Sequence, residues 1–492
     1  MSLILEKPFV AELSDRDILS SLKPRLSRSQ FLRFTQLAMA TEVIGDLIAS
    51  AISVAGVFLS YSYLRPARAL ALPLPQLLGV SISFSILFVV MLDREGVYSQ
   101  GSGMLRIRET ERTLRASLLS FLVIYPVAIM AHFALSPLLL GAMLLTVPIT
   151  VITEKQAVFS FVRFLHARGR GVQRAIIYGA GYTGKRVYSA LLRSRKLGLN
   201  PIGLVDDDQT KVGQTLKALG YSHIDSELVI QGPITLRMIK EMQADLVIVA
   251  IPTIAQSRLA EIATLAKQAG VSLSFVPNQP PHESLWVNYL DIDGIMLGSF
   301  AAPVNMHGYE FSKRVFDLIV SMIILVIFSP FFALLALGVR LDSEGPIIFK
   351  QHRVGKNGKL FEIYKFRTMK AAAPKYDLSP TKSEDWRITR FGRLLRKTSL
   401  DELPQLLNVL KGDMSLVGPR PEMPFIVQTY GPRERLRLSV IPGITGLWQL
   451  SADRSYLIHE NPHYDLYYIR NRGFFMDIAI LLHTAIFAIR GV

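Results

Sequence analysis

This chain of 492 residues has no cysteine. Disulfide scaffolds, thiolate metal sites and cysteine catalysis are therefore excluded. Charge is scarce as well. Only 19% of residues are Asp, Glu, Lys or Arg, against about 25% in an ordinary soluble protein. The acids are scarcer than the bases, 39 against 55, which leaves a formal net charge of +16. A strong positive balance on so few charges points to nucleic acid, an anionic membrane surface or a phosphorylated substrate. Apolar residues make up 50%, and the length suggests about three domains.

What the chain does have is apolar length. Residues 1–35 are polar and basic, with Lys7, Arg16, Lys23, Arg25, Arg28 and Arg33. A cleavable signal would place its apolar core nearer the start. Four apolar runs follow at residues 47–64, 76–92, 116–135 and 137–152, and none holds an Arg or Lys. Each is close to the ~20 residues that cross a bilayer core, and four in succession are hard to bury in a soluble domain. Basic residues set the expected orientation. They crowd the N-terminal tail, the loop with Arg94, Arg106, Arg108, Arg112 and Arg115, and the stretch with Arg163, Arg168, Arg170 and Arg174. The loop after the first run has only Arg65 and Arg68, and the turn between runs three and four has none. The reading is a four-span transmembrane domain over residues 1–160, with a cytoplasmic N-terminus and cytoplasmic chain after residue 160. Asp46, at the edge of the first run, reads as an interfacial or paired acid, although intramembrane acids can be functional.

Residues 170–305 change character. A short apolar strand, RAIIY, runs into Gly179-Ala180-Gly181-Tyr182-Thr183-Gly184 and a helix-like segment. That is the context a GxGxxG turn requires, with glycines letting backbone amides approach a pyrophosphate at a helix N-terminus. A second strand ends in Asp206-Asp207-Asp208, and an acid there suits a ribose hydroxyl. Further βα repeats imply a parallel, Rossmann-like sheet. Gly179, Gly181, Gly184 and Asp206 are candidate nucleotide ligands. The alternative is a domain kept as a scaffold or regulatory module without a ligand. No Tyr-x-x-x-Lys pair of the short-chain dehydrogenase kind lies at a plausible distance downstream.

A fifth apolar run covers residues 315–339, flanked by Lys313-Arg314 and Arg340, with Asp317 inside and Ser329-Pro330 near its middle. Its length suits a span, but basic flanks on both sides and a cytoplasmic domain before it argue against one. A proline bends a helix, and a bent helix can enter one leaflet and return to the same face. The expectation is a re-entrant helix broken at Ser329 and Pro330.

From Gly345 onward, Arg and Lys interleave with glycine and aromatic residues, as a phosphate cleft requires. Nucleic acid is the competing reading of such a stretch. It is set aside because the basic groups alternate with apolar runs beside membrane segments. Asp401-Glu402 lies between Lys397-Thr398-Ser399 and Leu403-Pro404. Adjacent acids are usually solvated charge. Flanked by cations and leucines, they can instead divide labour, one attacking phosphorus and one holding Mg²⁺ on a diphosphate. The histidines form no pattern of metal ligands, since Pro462 separates His459 from His463.

Residues 311–492 resemble the bacterial sugar transferase family, the polyprenyl-phosphate hexose-1-phosphate transferases (monotopic phosphoglycosyl transferases). The motifs are Lys313-Arg314-x-x-Asp317, Ser329-Pro330, GPIIFKQHRVGKNG, KFRTM, RITRFGRLLRKTSLDELPQLLNVLKGDMSLVGPRP and PGITGLWQ. With four spans and a Rossmann-like module in front, the chain resembles the long form, which transfers galactose or glucose phosphate. The resemblance implies an integral membrane plus α/β fold: a four-helix transmembrane bundle, a parallel α/β domain and a monotopic catalytic domain over 311–492.

It further implies a ping-pong reaction in which a UDP-hexose gives its sugar 1-phosphate to undecaprenyl phosphate, releasing UMP. Asp401 would be the nucleophile and Glu402 the Mg²⁺ ligand. Arg353, Lys365, Arg367, Arg396, Lys397 and Arg420 would bind the two phosphorylated substrates. The expected setting is the cytoplasmic face of the bacterial inner membrane, among its lipids, at the start of exopolysaccharide, capsule or O-antigen synthesis. A homodimer and downstream glycosyltransferases are the expected protein partners. One departure is that a Gly-Arg expected soon after GLWQ is replaced by a stretch holding Arg454. Asp465 is either a helper acid or structural, and the final helix lies either on the membrane plane or in the core. The competing function is a nucleotide-sugar oxidoreductase or epimerase using the 179–184 loop. A silent scaffold is the third reading, opposed by the intact Asp401-Glu402.

Overall fold

The computed structural model describes residues 28–64, 74–98, 105–130, 137–167, 171–193, 198–215, 228–277, 286–292, 295–301, 307–370, 373, 385–450 and 462–490. The expectations for Arg454, His459, Arg65, Arg68 and most of the N-terminal tail lie outside these residues. The chain divides into two compact units, Met1–Gln279 and Pro280–Val492.

In the first unit the four apolar runs lie in four helices: α1 (Arg28–Leu64), α2 (Leu74–Arg94), α3 (Leu105–Met130) and α4 (Pro137–Ala167). Without water to satisfy backbone groups, helix is the conformation such runs adopt. α1 packs on α2 and α4, and α3 on both of those. Val54, Phe58, Phe84, Phe88, Leu92, Leu139, Val147 and Val151 form their shared core. Ile48, Ile52, Ile82, Ile86, Leu145 and Ile149 stay exposed on the outside. Among the described residues two stretches are long and apolar enough to cross a membrane, Gln36–Leu64 and Leu139–His166. Asp46 is fully buried and paired, with Lys155 Nζ and the Tyr98 hydroxyl each 2.7 Å from Oδ2.

The same unit contains a four-stranded parallel sheet. It is built from β1 (Gln173–Tyr178), α5 (Tyr182–Arg193), β2 (Leu199–Val205), α6 (Leu236–Glu241), β3 (Leu246–Val249), α7 (Gln256–Ala269) and β4 (Ser272–Phe275). The strand order is β2-β1-β3-β4. Alternate side chains face opposite layers, as the two-residue period of a strand dictates. Ala175, Ile177 and Leu204 pack with Tyr188 and Leu191 of α5. Ile176, Val205, Val247 and Val249 pack with Ile239 of α6 and Ile262 of α7. Near-continuous apolar strands fit this two-sided burial.

The second unit opens with an antiparallel hairpin, β5 (Trp286–Ile292) and β6 (Ile295–Ala301). Two apolar helices follow, α8 (His307–Ile327) and α9 (Ser329–Asp342). Their axes are bent 68° apart at Phe328, and Pro330 lies in the first turn of α9. Proline suits that place because the first-turn N–H groups lack helical partners anyway. An antiparallel pair comes next, β7 (Ile348–Val354) and β8 (Leu360–Phe366). Then come α10 (Arg390–Thr398), α11 (Gln405–Lys411), β9 (Ser415–Val417), α12 (Pro424–Gln428), α13 (Pro432–Arg435), β10 (Gly443–Thr445), α14 (Pro462–Asn471) and α15 (Phe474–Arg490). β10 pairs in parallel with β9. Leu335 and Val339 of α9 are buried with Phe366 and Leu395, which ties the bent helix pair to the sheet and α10.

The charged residues of α8 reach three different elements. Lys313 Nζ is 2.8 Å from Asp477 on α15. Arg314 donates to the carbonyls of Val409 and Leu410 at 2.6 and 3.0 Å, capping the C-terminus of α11, where a cation suits the exposed carbonyls. Asp317 accepts from Ser415 Oγ on β9 at 2.7 Å.

Candidate active site

The site is built around one tight turn. Thr389 caps α10 by accepting from Gly392 N at 3.0 Å. The helix ends at Ser399 with φ at 57°, a left-handed conformation costing a non-glycine residue on the order of 1 kcal/mol. That residue swings the chain into a single 3₁₀ turn, Leu400–Glu402. Leu400 and Leu403 pack against the cluster of Leu335, Val339, Phe366 and Leu395. The turn is thereby anchored on its apolar side, with Asp401 and Glu402 half-buried on it.

Two cations converge on Glu402. Lys365 Nζ from β8 and Arg420 Nη2 from the loop after β9 each lie 2.7 Å from Oε1. Arg420 Nη1 is 3.4 Å from Oε2. Burial alone would raise the pKa of Glu402, but Arg420 and Lys365 outweigh it and hold the carboxyl well below its usual range. Asp401 makes no hydrogen bond or ion pair among the described residues. Burial pushes its pKa up, the charge of Glu402 adds to that, and Lys365, Arg396 and Arg420 only partly oppose it. Adjacent carboxylates with pKa values driven apart are the usual mark of divided roles.

Arg396, on the last turn of α10, acts electrostatically on Asp401. Its Nη1 is buried with no partner among the described residues. A buried donor left unpaired costs about 1–3 kcal/mol, and a phosphate oxygen would satisfy it. The loop carrying Arg420 is braced from behind. Arg437 Nη2 donates to the Arg420 carbonyl at 3.3 Å, Nε to Asp465 Oδ2 at 2.7 Å and Nη1 to the Tyr430 hydroxyl at 2.5 Å. Asp465 therefore supports the arginine loop from α14 rather than facing the carboxylate pair.

The donor set suits a hard divalent cation. Glu402 Oε2 has only the 3.4 Å contact, which leaves an oxygen available. Among the described residues no group of three His, Asp or Glu gathers to hold a metal alone. Mg²⁺ at phosphate sites typically takes about one or two carboxylates and completes its shell with substrate phosphate and water.

A sequence model of the bacterial sugar transferase family matches residues 308–491, and one described as a CoA-binding domain matches residues 94–277. The undecaprenyl-phosphate galactose phosphotransferase of Salmonella typhimurium is 32% identical over 339 residues, covering 65% of this chain and 69% of that protein. The chain belongs to the bacterial sugar transferase family. The UDP-galactose-lipid carrier transferase of Erwinia amylovora is 29% identical over 339 residues, with the same shares of each chain. The UDP-glucose:undecaprenyl-phosphate glucose-1-phosphate transferase of Klebsiella pneumoniae is 36% identical over 226 residues, covering 43% of this chain and 48% of that protein.

In this bacterial sugar transferase Lys365, Arg396 and Arg420 gather at the Asp401-Glu402 turn. Three other expected phosphate ligands sit elsewhere. Arg353 bonds Gln351 Oε1 at 2.8 Å and faces Glu422 at 3.9 Å. Arg367 is buried and donates to the backbone and side-chain oxygens of Ser343 just beyond α9. Lys397 is exposed on α10. Asn408 and Arg437 were missed. Arg437 lies in an unremarkable basic stretch with no signal. Asn408 interrupts the apolar run LLNVL, a signal that could have been followed.

The glycine turn of the first unit is filled by its own chain. Asp206 Oδ2 accepts from Ala180 N at 2.7 Å and Oδ1 from Asp208 N at 2.9 Å, so the acid expected to bind ribose is engaged by the loop itself. A Cβ on Gly184 would come 1.7 Å from the Gly179 carbonyl, whereas one on Gly181 would meet nothing within 4 Å. Gly184 is thus a packing requirement between helix and strand.

Proposed function

We propose that this protein transfers hexose 1-phosphate from UDP-galactose or UDP-glucose to undecaprenyl phosphate, giving undecaprenyl-diphosphate-hexose and UMP. The observation that carries this reading is the Asp401–Glu402 turn. One carboxylate is pinned by two cations, and the other is left without a partner among the described residues, in a unit matched by the family model. The names of the Salmonella, Erwinia and Klebsiella relatives support the same substrates.

In this mechanism an Asp401 carboxylate oxygen attacks the phosphorus that carries the sugar. The new Asp401 Oδ–P bond forms as the bond from that phosphorus to the UMP oxygen breaks, and UMP leaves. A phosphate oxygen of undecaprenyl phosphate then attacks the same phosphorus and releases Asp401. A raised pKa makes Asp401, once ionised, a stronger nucleophile than an ordinary carboxylate. Arg396 and Arg420 offer guanidinium donors to the phosphate oxygens, and Lys365 and Arg420 keep Glu402 ionised. Mg²⁺, held through Glu402, would neutralise charge on the diphosphate.

The reading extends to topology. The helices of residues 28–167 form a four-span bundle with basic flanks in the cytoplasm, and α8 and α9 enter and leave the cytoplasmic leaflet at their 68° bend. The catalytic unit then meets both the cytoplasmic UDP-sugar and the headgroup of the lipid substrate at the inner membrane. The product enters exopolysaccharide, capsule or O-antigen synthesis, handed on to downstream glycosyltransferases by a homodimer. The self-bonded Asp206 favours a structural role for the parallel-sheet domain over an oxidoreductase one.

The test is UMP release from membranes given UDP-hexose and undecaprenyl phosphate. Transfer from a UDP-hexose panel that yields no lipid-linked product would overturn the reading.

A further inference from the structure

Asn408 lies in the middle of α11 and is fully buried. Its side-chain amide makes two hydrogen bonds to one strand. Oδ1 accepts from Tyr364 N at 3.0 Å, and Nδ2 donates to the Glu362 carbonyl at 2.6 Å. In a β-strand the N–H and C=O of residues two apart point to the same side. β8 pairs with β7 through its other edge, so Asn408 takes the place of a neighbouring strand at residues 362 and 364. It satisfies an edge that would otherwise leave partly buried backbone groups unpaired.

The consequence lies one residue further along. Lys365 follows Tyr364, and its Nζ reaches Glu402 at 2.7 Å. Glu402 lies three residues before the start of α11. Lys365 and Glu402 therefore sit on the two elements that Asn408 clamps, each a short chain distance from the clamp. The Asn408 backbone carbonyl meanwhile accepts from Gly412, Asp413 and Met414, and Arg314 caps the next two carbonyls, of Val409 and Leu410, at the helix end. α11 is thus fixed at its end as well as its middle, and Lys411 in its last turn adds a side-chain contact to the Tyr364 hydroxyl of β8.

We propose that Asn408 is a positioning residue for the transfer reaction: its amide sets the register of β8 against α11 so that Lys365 reaches Glu402. This rests on the reaction proposed above, with Asp401 as the nucleophile. Alanine removes both strand bonds. Lys365 then loses its approach to Glu402. Aspartate keeps the acceptor for Tyr364 N and loses the donor to Glu362. Both variants lose the register that needs the donor and acceptor together.

The experiment uses the full chain in membranes with UDP-galactose, UDP-glucose and undecaprenyl phosphate. Wild-type turnover is measured first, so that failure of the reaction itself is seen separately. Asn408→Ala is expected to lose at least tenfold in kcat. In a Lys365→Met background the same substitution should cost less than twofold more, because the contact it serves is already gone. Equal losses in both backgrounds would overturn the proposal and leave Asn408 as a stabilising residue only. If Asn408→Ala does not accumulate, Asn408→Asp carries the same cycle. A kcat in Asn408→Asp matching wild type would equally overturn it.

Discussion

Lys365 Nζ and Glu402 Oε1 are 2.7 Å apart, across from an equal contact made by Arg420 to the same oxygen. That shared oxygen separates the two neighbouring acids. Glu402 is held ionised, while Asp401, one residue earlier, is pushed up by burial and by the charge beside it. The asymmetry comes from cations supplied by β8 and by the loop after β9, since both acids lie on the same turn.

Asp401→Asn keeps the shape of the turn and removes the proposed nucleophile. UMP release is expected to fall by roughly a thousandfold or more, in line with losses of attacking groups elsewhere. Measurement of UMP from UDP-hexose before lipid is added isolates the first half-reaction. Burst release of UMP by this variant would sink the assignment.

Activity should rise with pH across an acid limb above the ordinary carboxylate range. As the proposed nucleophile Asp401 must be ionised to attack, and its raised pKa means it is still protonated where a free Asp is not. Glu402 is shifted the opposite way, and its shift acts on stability. Its depressed native pKa contributes stability that is present above the unfolded value of about 4.3 and is lost as pH falls towards the native one. A kcat profile and an acid unfolding series together check both signs. An acid limb at ordinary Asp values would count against the first.

Arg437→Met leaves Asp465 buried and unpaired, and Asp465 is only 1% exposed. Removing one partner of a buried pair costs about 3–5 kcal/mol. The loss should appear in thermal melting, with weaker turnover through the slackened Arg420 loop. The double variant Arg437→Met/Asp465→Leu should recover part of the stability. Its failure to melt above the single variant would show that packing around Arg437 matters more than its charge.

In the parallel-sheet domain, Gly184→Ala should destabilise by about 1–3 kcal/mol or more, since its Cβ meets a backbone carbonyl. Gly181→Ala, which meets nothing within 4 Å, should melt like wild type. Protease sensitivity of residues 171–277 in the full chain distinguishes them.

Lys155→Met removes the cation between Asp46 and Glu42, where the distances are 2.7 and 3.0 Å. A buried acid left unpaired in an apolar helix pack costs about 3–5 kcal/mol. Detergent-solubilised protein should melt lower, and Lys155→Met/Asp46→Leu should melt closer to wild type.

Much of this was legible in the chain itself. Apolar run length marked the helices, because backbone in lipid has few other conformations. The strand–GxGxxG–helix order marked the parallel sheet, and dense motifs after residue 311 marked the family. What could not be read was which basic residues share a site. Arg367 and Lys365 are two apart in KFRTM, yet one bonds Ser343 beyond α9 and the other reaches Glu402. Asp206 sits where a ribose ligand would, yet its oxygens are taken by local amides. Composition and periodicity are local quantities, and they determined which segments exist and where their apolar faces lie. The pairing of Lys365 and Arg420 on one oxygen of Glu402, and the two bonds of Asn408 to β8, were decided only by the tertiary structure. Such contacts join residues far apart in the chain, and short-range electrostatics and hydrogen bonding depend on ångström distances that spacing in sequence does not encode.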